Sequence, residues 1–146
     1  MLFQAPESSL KLDIVNYEFP ADGGAYASDD RNWLVLRCTW MKEDGDIRKD
    51  SNSCLLTYEL REMTAGLKVV RAGIKDAYES DFVEPYFALS LRAEGEDAFR
   101  AWVSFFLPNT MDGEDTAEVE CVLTRQQLSD LVEELDKLCG KFPERT

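Results

Sequence analysis

Apolar side chains recur at every second position through much of this chain, and twice the spacing changes to three and four. Leu10, Leu12 and Ile14 read as one strand within residues 10–19. A second strand spans 32–41, with Leu34, Leu36, Cys38 and Trp40 on one face and Trp33, Val35, Arg37 and Thr39 on the other. The polar run 42–53 reads as a loop, and Cys54–Leu56 as a short third strand. Thr57 then caps a helix with Glu59 in its first turn and Leu60, Met63, Leu67, Val70 and Ile74 along one stripe. The second half repeats the plan. Phe87, Leu89 and Leu91 alternate within 81–93, with Pro85 at the strand's start or on an edge. Phe99, Ala101, Val103, Phe105 and Leu107 alternate within 98–107, and 119–123 forms a last short strand. Thr124 and Gln127 have the spacing of a capping box, opening a helix with Leu128, Leu131, Val132, Leu135 and Leu138 on one side and Gly140 as its stop. Phe142-Pro143 is then expected to end the ordered chain.

The two halves echo each other where "CLLTYEL" (54–60) and "CVLTRQQL" (121–128) each run a buried strand into a threonine-capped helix. Duplication of one unit and the same capping chemistry used twice both account for it. Either way the pattern predicts two βββα units. The expected fold class is α+β: a mostly antiparallel sheet of about six strands, with both helices on one face, in a single domain over 1–146. The run 21–31 is a long connection. Gly66 inside the first helix marks either a close approach to the sheet or a weak helix, and Gly73 lies near that helix's end.

Charge narrows the partners. Sixteen basic and 29 acidic side chains give a net charge of −13, which argues against nonspecific binding to nucleic acid or an anionic membrane surface. The same charge suits a solvated surface or a basic partner. No stretch approaches the roughly 20 apolar residues of a membrane helix, and the first residues lack the pattern of a signal peptide. Cys38, Cys54, Cys121 and Cys139 lie singly in apolar settings, so buried reduced thiols and a cytoplasmic location are expected.

Candidate chemistry is sparse. Histidine is absent, which removes the usual general base and the commonest zinc ligand. The acidic loops at 43–46 and 112–115 do not fit a calcium-loop pattern, and neither a phosphate-binding loop nor a nucleophile elbow occurs. Glu18, Glu59, Glu84, Glu118 and Glu120 show no spacing that singles out a catalytic pair. No enzyme activity, no cofactor and no metal are expected. What does stand out is the sheet face opposite the helices, which would carry Trp33, Tyr86, Trp102 and Phe106 among Arg37, Arg92 and Arg100, residue types enriched in protein interfaces. The N-terminal arm or the 20–31 loop could instead cover that face, or the strands could face the other way. The candidate partner-binding residues are therefore Trp33, Arg37, Tyr86, Arg100 and Trp102 on the sheet. Asp44, Asp46, Asp112, Glu114 and Asp115 in the acidic loops complete the set, and which group forms the interface is left open.

The series "NYEFP" (16–20), "NWLVLR" (32–37), "CLLTYEL" (54–60) and "FVEPYFALSL" (82–91), in this order, resembles the WapI-type immunity protein family of bacteria. The likeness runs from about residue 9 into the final helix. It departs from the family pattern at Tyr58, where tryptophan is usual, and in the helix interrupted by Gly66 and Gly73. The resemblance implies a cytosolic protein that neutralises a cognate contact-dependent toxin, often a nuclease, by binding it, without catalysis; the acidic surface adds the expectation of a basic toxin domain, and a monomer or weak dimer is expected. The alternative reading is a small-ligand or regulatory module, and a third is an enzyme of unrecognised type.

Overall fold

A computed structural model describes residues 1–19, 30–110 and 113–145 of the chain, the side chains of 109 and 110 excepted. The strands are β1 (Leu2–Gln4), β2 (Ser9–Tyr17), β3 (Trp33–Met41), β4 (Ile47–Leu56), β5 (Ala77–Glu79), β6 (Phe87–Ala93), β7 (Ala98–Thr110) and β8 (Gly113–Thr124). Helix α1 (Thr57–Arg71) follows β4 directly, and α2 (Arg125–Lys141) follows β8. The fold is α+β with antiparallel pairing throughout. Its strands form two sheets, ordered β1-β2-β3-β4 and β5-β6-β7-β8, rather than one sheet of about six. Each half is thus four strands and a helix.

The extra strands are the ones that hydropathy cannot show. β1 and β5 are three residues long, and β1 pairs along β2, with Phe3 opposite Leu10, instead of folding across a sheet face. β4 starts at Ile47, so most of the expected 42–53 loop is strand. From Arg48 to Ser53 it is polar on both faces, and what holds it is pairing with β3 through the turn where Gly45 takes φ +87° and Lys42 N–H donates to Asp46 O. β8 extends upstream to Gly113 by the same pairing, this time with β7.

The expected inward faces meet in one core, Ile74 excepted, with Trp40 and Leu138 partly buried against it. Leu12, Leu34, Leu36 and Cys38 of the first sheet join Leu89, Leu91, Phe99, Val103 and Phe105 of the second in a single buried cluster. Burying each aliphatic or phenyl side chain stabilises by roughly 1.5–3 kcal/mol relative to leaving it in water. β4 lies against β7, and β1 and β2 against β8, so the sheets share this core. The helices pack against one another, α1 beside β4, β5 and β6 and α2 beside β7 and β8, filling it with Leu60, Met63, Leu67, Leu128, Val132 and Leu135.

The two helix starts differ in a way the threonine echo hides. Thr124 caps α2 as expected: Gln127 N–H donates to Thr124 Oγ1 at 3.1 Å, and Thr124 N–H donates to Gln127 Oε1 at 2.8 Å. Thr57 does not cap α1. It is the first helical residue, and its hydroxyl donates instead to Asn32 Oδ1 at 2.8 Å. Glu59 supplies half of a box alone: Oε1 accepts from Leu56 N–H at 3.0 Å and Oε2 accepts from Val83 N–H at 2.9 Å. This buried carboxylate ties the β5–β6 connection to the helix start.

Asn32 is buried as well, and its amide clasps the chain's end. Nδ2 donates to Arg145 O at 2.9 Å while Arg145 N–H donates to Oδ1 at 2.7 Å. Tyr17 OH donates to Pro143 O at 2.6 Å, and the Arg145 guanidinium lies 3.3 Å from the Tyr17 ring centroid. Order therefore continues past Phe142-Pro143 to residue 145. At its other end α1 stops at Arg71, with Gly73 at φ +76°, leaving Ile74 exposed instead of on the buried stripe. α2 runs through Gly140 to Lys141.

Gly66 marks a close approach. A Cβ there would sit 2.3 Å from Cδ1 of Tyr78, whose ring from β5 fills the notch in the helix. Gly66→Ala should therefore destabilise by about 1–3 kcal/mol through overpacking, although helix propensity alone favours alanine by about 1 kcal/mol. In a Tyr78→Ala background the same change should become stabilising. Urea denaturation of the four chains of this double-mutant cycle checks the sign reversal; a Gly66→Ala that stabilises in both backgrounds would refute the contact.

Candidate partner-binding surface

Pairing registers on the second sheet set its outward side chains in rows that cross the strands. One row runs Ala77, Arg92, Arg100, Val122. The next runs Glu79, Ser90, Trp102, Glu120. Below it come Ala88, Ser104 and Glu118, and then Phe106 opposite Thr116, with Tyr86 O accepting from Phe106 N–H at 2.7 Å. These residues face outward because their neighbours Leu89, Leu91, Ala101, Val103, Phe105, Val119 and Cys121 are buried.

Trp102 is 54% exposed at the centre of this face. Small side chains on the adjoining strands and the next row leave hollows on both sides of the indole. One, of about 390 Å³, lies between Tyr78, Arg92, Arg100 and Trp102; the other, of about 290 Å³, is lined by Glu79, Ala88, Ser90, Trp102, Ser104 and Glu118. Arg100 is clamped at the first. Its Nε and Nη2 donate to Glu94 at 2.6 and 3.1 Å, and its Nη1 donates to Glu120 at 3.1 Å. The Arg100 hydrogen bond holds the Glu94 carboxyl below its ordinary value, and the same bond raises Arg100 above its own. Tyr86 and Phe106 pack at 5.4 Å between ring centroids and are half-buried.

The sequence candidates are thus divided between two sheets. Tyr86, Arg100 and Trp102 share the outer face of the second. Trp33 and Arg37 belong to β3 of the first, where Trp33 is half-buried and Arg37 is exposed with Nη2 3.6 Å from Asp13 Oδ2. Asp44 and Asp46 shape the β3–β4 turn: Asp44 Oδ1 accepts from Asp46 N–H, and Asp46 pairs with Arg48 at 2.9 Å. A third hollow, of about 310 Å³, lined by Ser8, Trp40, Lys42, Glu43, Asp44 and Glu118, brings that turn to the rim of the second sheet. Glu114 and Asp115 begin β8, and Asp112 lies outside the described residues. Trp40, expected inward, is half-buried, with Lys42 Nζ 5.4 Å from its ring centroid.

Glu79, Glu94, Glu118 and Glu120 are the surface residues that sequence reasoning missed. The alternation of Glu114, Thr116, Glu118 and Glu120 against Ala117, Val119 and Cys121 was the available signal, hidden because only 119–123 read as strand. Among the described residues no group of three or more Cys, Asp or Glu could hold a metal ion. Tryptophan flanked by carboxylates suits the recognition of cationic and planar groups.

With this face described, comparison with known proteins adds the lineage. The model of the immunity protein WapI-like family matches residues 1–143. The chain belongs to the WapI-like immunity protein family. That membership supports an immunity role exercised by binding. No curated protein matches the chain. Among solved structures, WHY3 from Arabidopsis thaliana is similar at TM-score 0.53 and 12% identity, over 97% of this chain and 86% of that one, a likeness of fold alone. WHY1 from the same plant is similar at TM-score 0.46 and 14% identity, over 97% and 88%. No helix among the described residues is long and apolar enough to cross a membrane.

Three of the four cysteines expected to be buried thiols in this WapI-like protein, Cys38, Cys54 and Cys121, are buried; Cys139 is only half-buried. Burial, then Asp50, pushes Cys38 up to about 12; burial, then Glu59, Glu84 and Cys38, does the same for Cys54. Because the folded values exceed the unfolded one of 9.0, the stability these two thiols contribute is complete below pH 9 and is lost as the pH rises toward 12. Urea midpoints measured from pH 7 to about pH 11 should fall above pH 9, less so for Cys38→Ala/Cys54→Ala. Equal losses in the two proteins would show that these thiols do not titrate late.

Proposed function

We propose that the protein binds a cognate toxin in the cytoplasm and neutralises it by covering its working surface, without chemistry of its own. The observation that carries this reading is Trp102, half out of the sheet in a helix-free face of a WapI-like immunity family member. A large exposed aromatic at the centre of a polar rim is the usual anatomy of a binding hot spot. The net charge of −13 favours a basic toxin domain, a nuclease being one such class, by steering its approach. On this reading the docking surface is the outer face of the second sheet (Tyr86, Arg100, Trp102), continued by the Asp44 turn at its rim. The hollows beside Trp102 are open depressions with charged walls, which suits a protein surface better than an enclosed apolar ligand.

The test is toxicity rescue. The chain is coexpressed with candidate toxin domains from neighbouring genes, and the purified proteins are titrated calorimetrically. Wild type should restore growth and form a complex whose association slows with salt. Trp102→Ala should leave the urea midpoint within about 0.5 kcal/mol of wild type, as for an exposed side chain, and weaken binding by at least about tenfold, as hot-spot truncation does. Wild type that neither binds nor rescues would refute the reading.

A further inference from the structure

Carboxylates on the outer face of the second sheet are of two kinds. Glu94 and Glu120 are occupied by the protein's own Arg100. Glu79 and Glu118, at the 290 Å³ hollow on Trp102's other side, are exposed and take part in no ion pair among the described residues. The floor between them is built from Ala88, Ser90 and Ser104, side chains too short to fill it. The indole forms one wall. The hollow therefore offers an aromatic surface, an acidic rim and hydroxyl groups on its floor, with no cation of its own.

Of the common side chains, arginine fits this combination best. Its guanidinium is planar, stacks on an indole, loses hydration more readily than an ammonium, and presents several N–H donors to carboxylates at once. Arg100 shows the arrangement within the molecule: a guanidinium held between two glutamates on the same sheet face, one of them on β8. Lysine would satisfy the charge and not the plane. An apolar side chain would leave Glu79 and Glu118 desolvated beside it without compensation.

We propose that the hollow between Trp102, Glu79 and Glu118 receives an arginine side chain from a loop of the partner toxin, stacked on the indole and paired with both carboxylates. This rests on the toxin-binding reading above and specifies the chemistry of its central contact. The hollow, and not the Arg100 side, is then the determinant of which toxins bind.

Two measurements test it. In the first, the peptides acetyl-Gly-Arg-Gly-amide and acetyl-Gly-Lys-Gly-amide are titrated into the ¹⁵N-labelled full chain, and the Trp102 indole resonance is followed by NMR. The arginine peptide should shift that resonance more than the lysine peptide, and Glu79→Gln/Glu118→Gln should abolish the difference. An unmoved resonance, or one moved alike by both peptides, overturns the inference. In the second, the same candidate toxin domains are titrated with Glu79→Gln/Glu118→Gln. Affinity should fall about tenfold or more, with a shallower salt dependence, as for a desolvated charge pair losing its partners. Growth rescue and toxin affinity equal to wild type in that variant would overturn the arginine contact while the toxin reading stands. Wild-type chain that fails to bind the toxin would remove both.

Discussion

β7 buries every second residue from Phe99 to Leu107, and that single alternation positions everything on the second sheet. Its inward members are apolar and its outward members are Arg100, Trp102, Ser104 and Phe106. A slip of one residue would push the Arg100 guanidinium into the core and lift Phe105 into water, a cost of several kcal/mol for the charge alone. The register is pinned at the strand's start and from both sides. Glu94 N–H donates to Ala98 O across a turn in which Gly95 takes φ +89°, and β7 is paired by β6 over Phe99–Phe105 and by β8 over Ala98–Leu107. Trp102 is exposed because its neighbours have nowhere else to go.

That reasoning was open to the sequence wherever one face is apolar. Leu34, Leu36, Phe87, Leu89, Val103 and Phe105 all point inward as their spacing predicts, and both helices begin within a residue of their threonines. The sequence went silent where strands are held by pairing alone. Residues 48–53 carry polar side chains on both faces, and β1 and β5 are too short for any period. With those strands unseen, two sheets of four read as one of about six, and Trp33 and Arg37 seemed to share a face with Trp102. The difference between Thr57 and Thr124 was hidden too: it is decided by Asn32, a buried amide 25 positions upstream that takes the Thr57 hydroxyl for itself. The resemblance to the WapI-type family was legible, and the family's match over residues 1–143 agrees with it.

Charge on this molecule is uneven. Where the chain carries its own cation, as at Arg100, neighbouring carboxylates are neutralised locally. Where no ion pair forms, as at Glu79 and Glu118, the field of a net −13 protein is left to solvent. On the docking proposed above, long-range attraction and short-range fit fall to different residues: the many exposed acids would draw a basic surface in, and a few side chains around the indole would decide whether it stays. Buried thiols stand apart from all this, held protonated by the same desolvation that keeps the core dry.

The row Glu79, Ser90, Trp102, Glu120 draws one residue from each of four strands, and every one of them projects away from the interior. Each can be replaced singly while the layer beneath keeps its packing, since a change at an outward site leaves the inward lattice untouched. On the docking proposed above, the contacts this row makes can change one codon at a time on an unaltered scaffold. Diversification is cheap here for the same reason that misfolding is not.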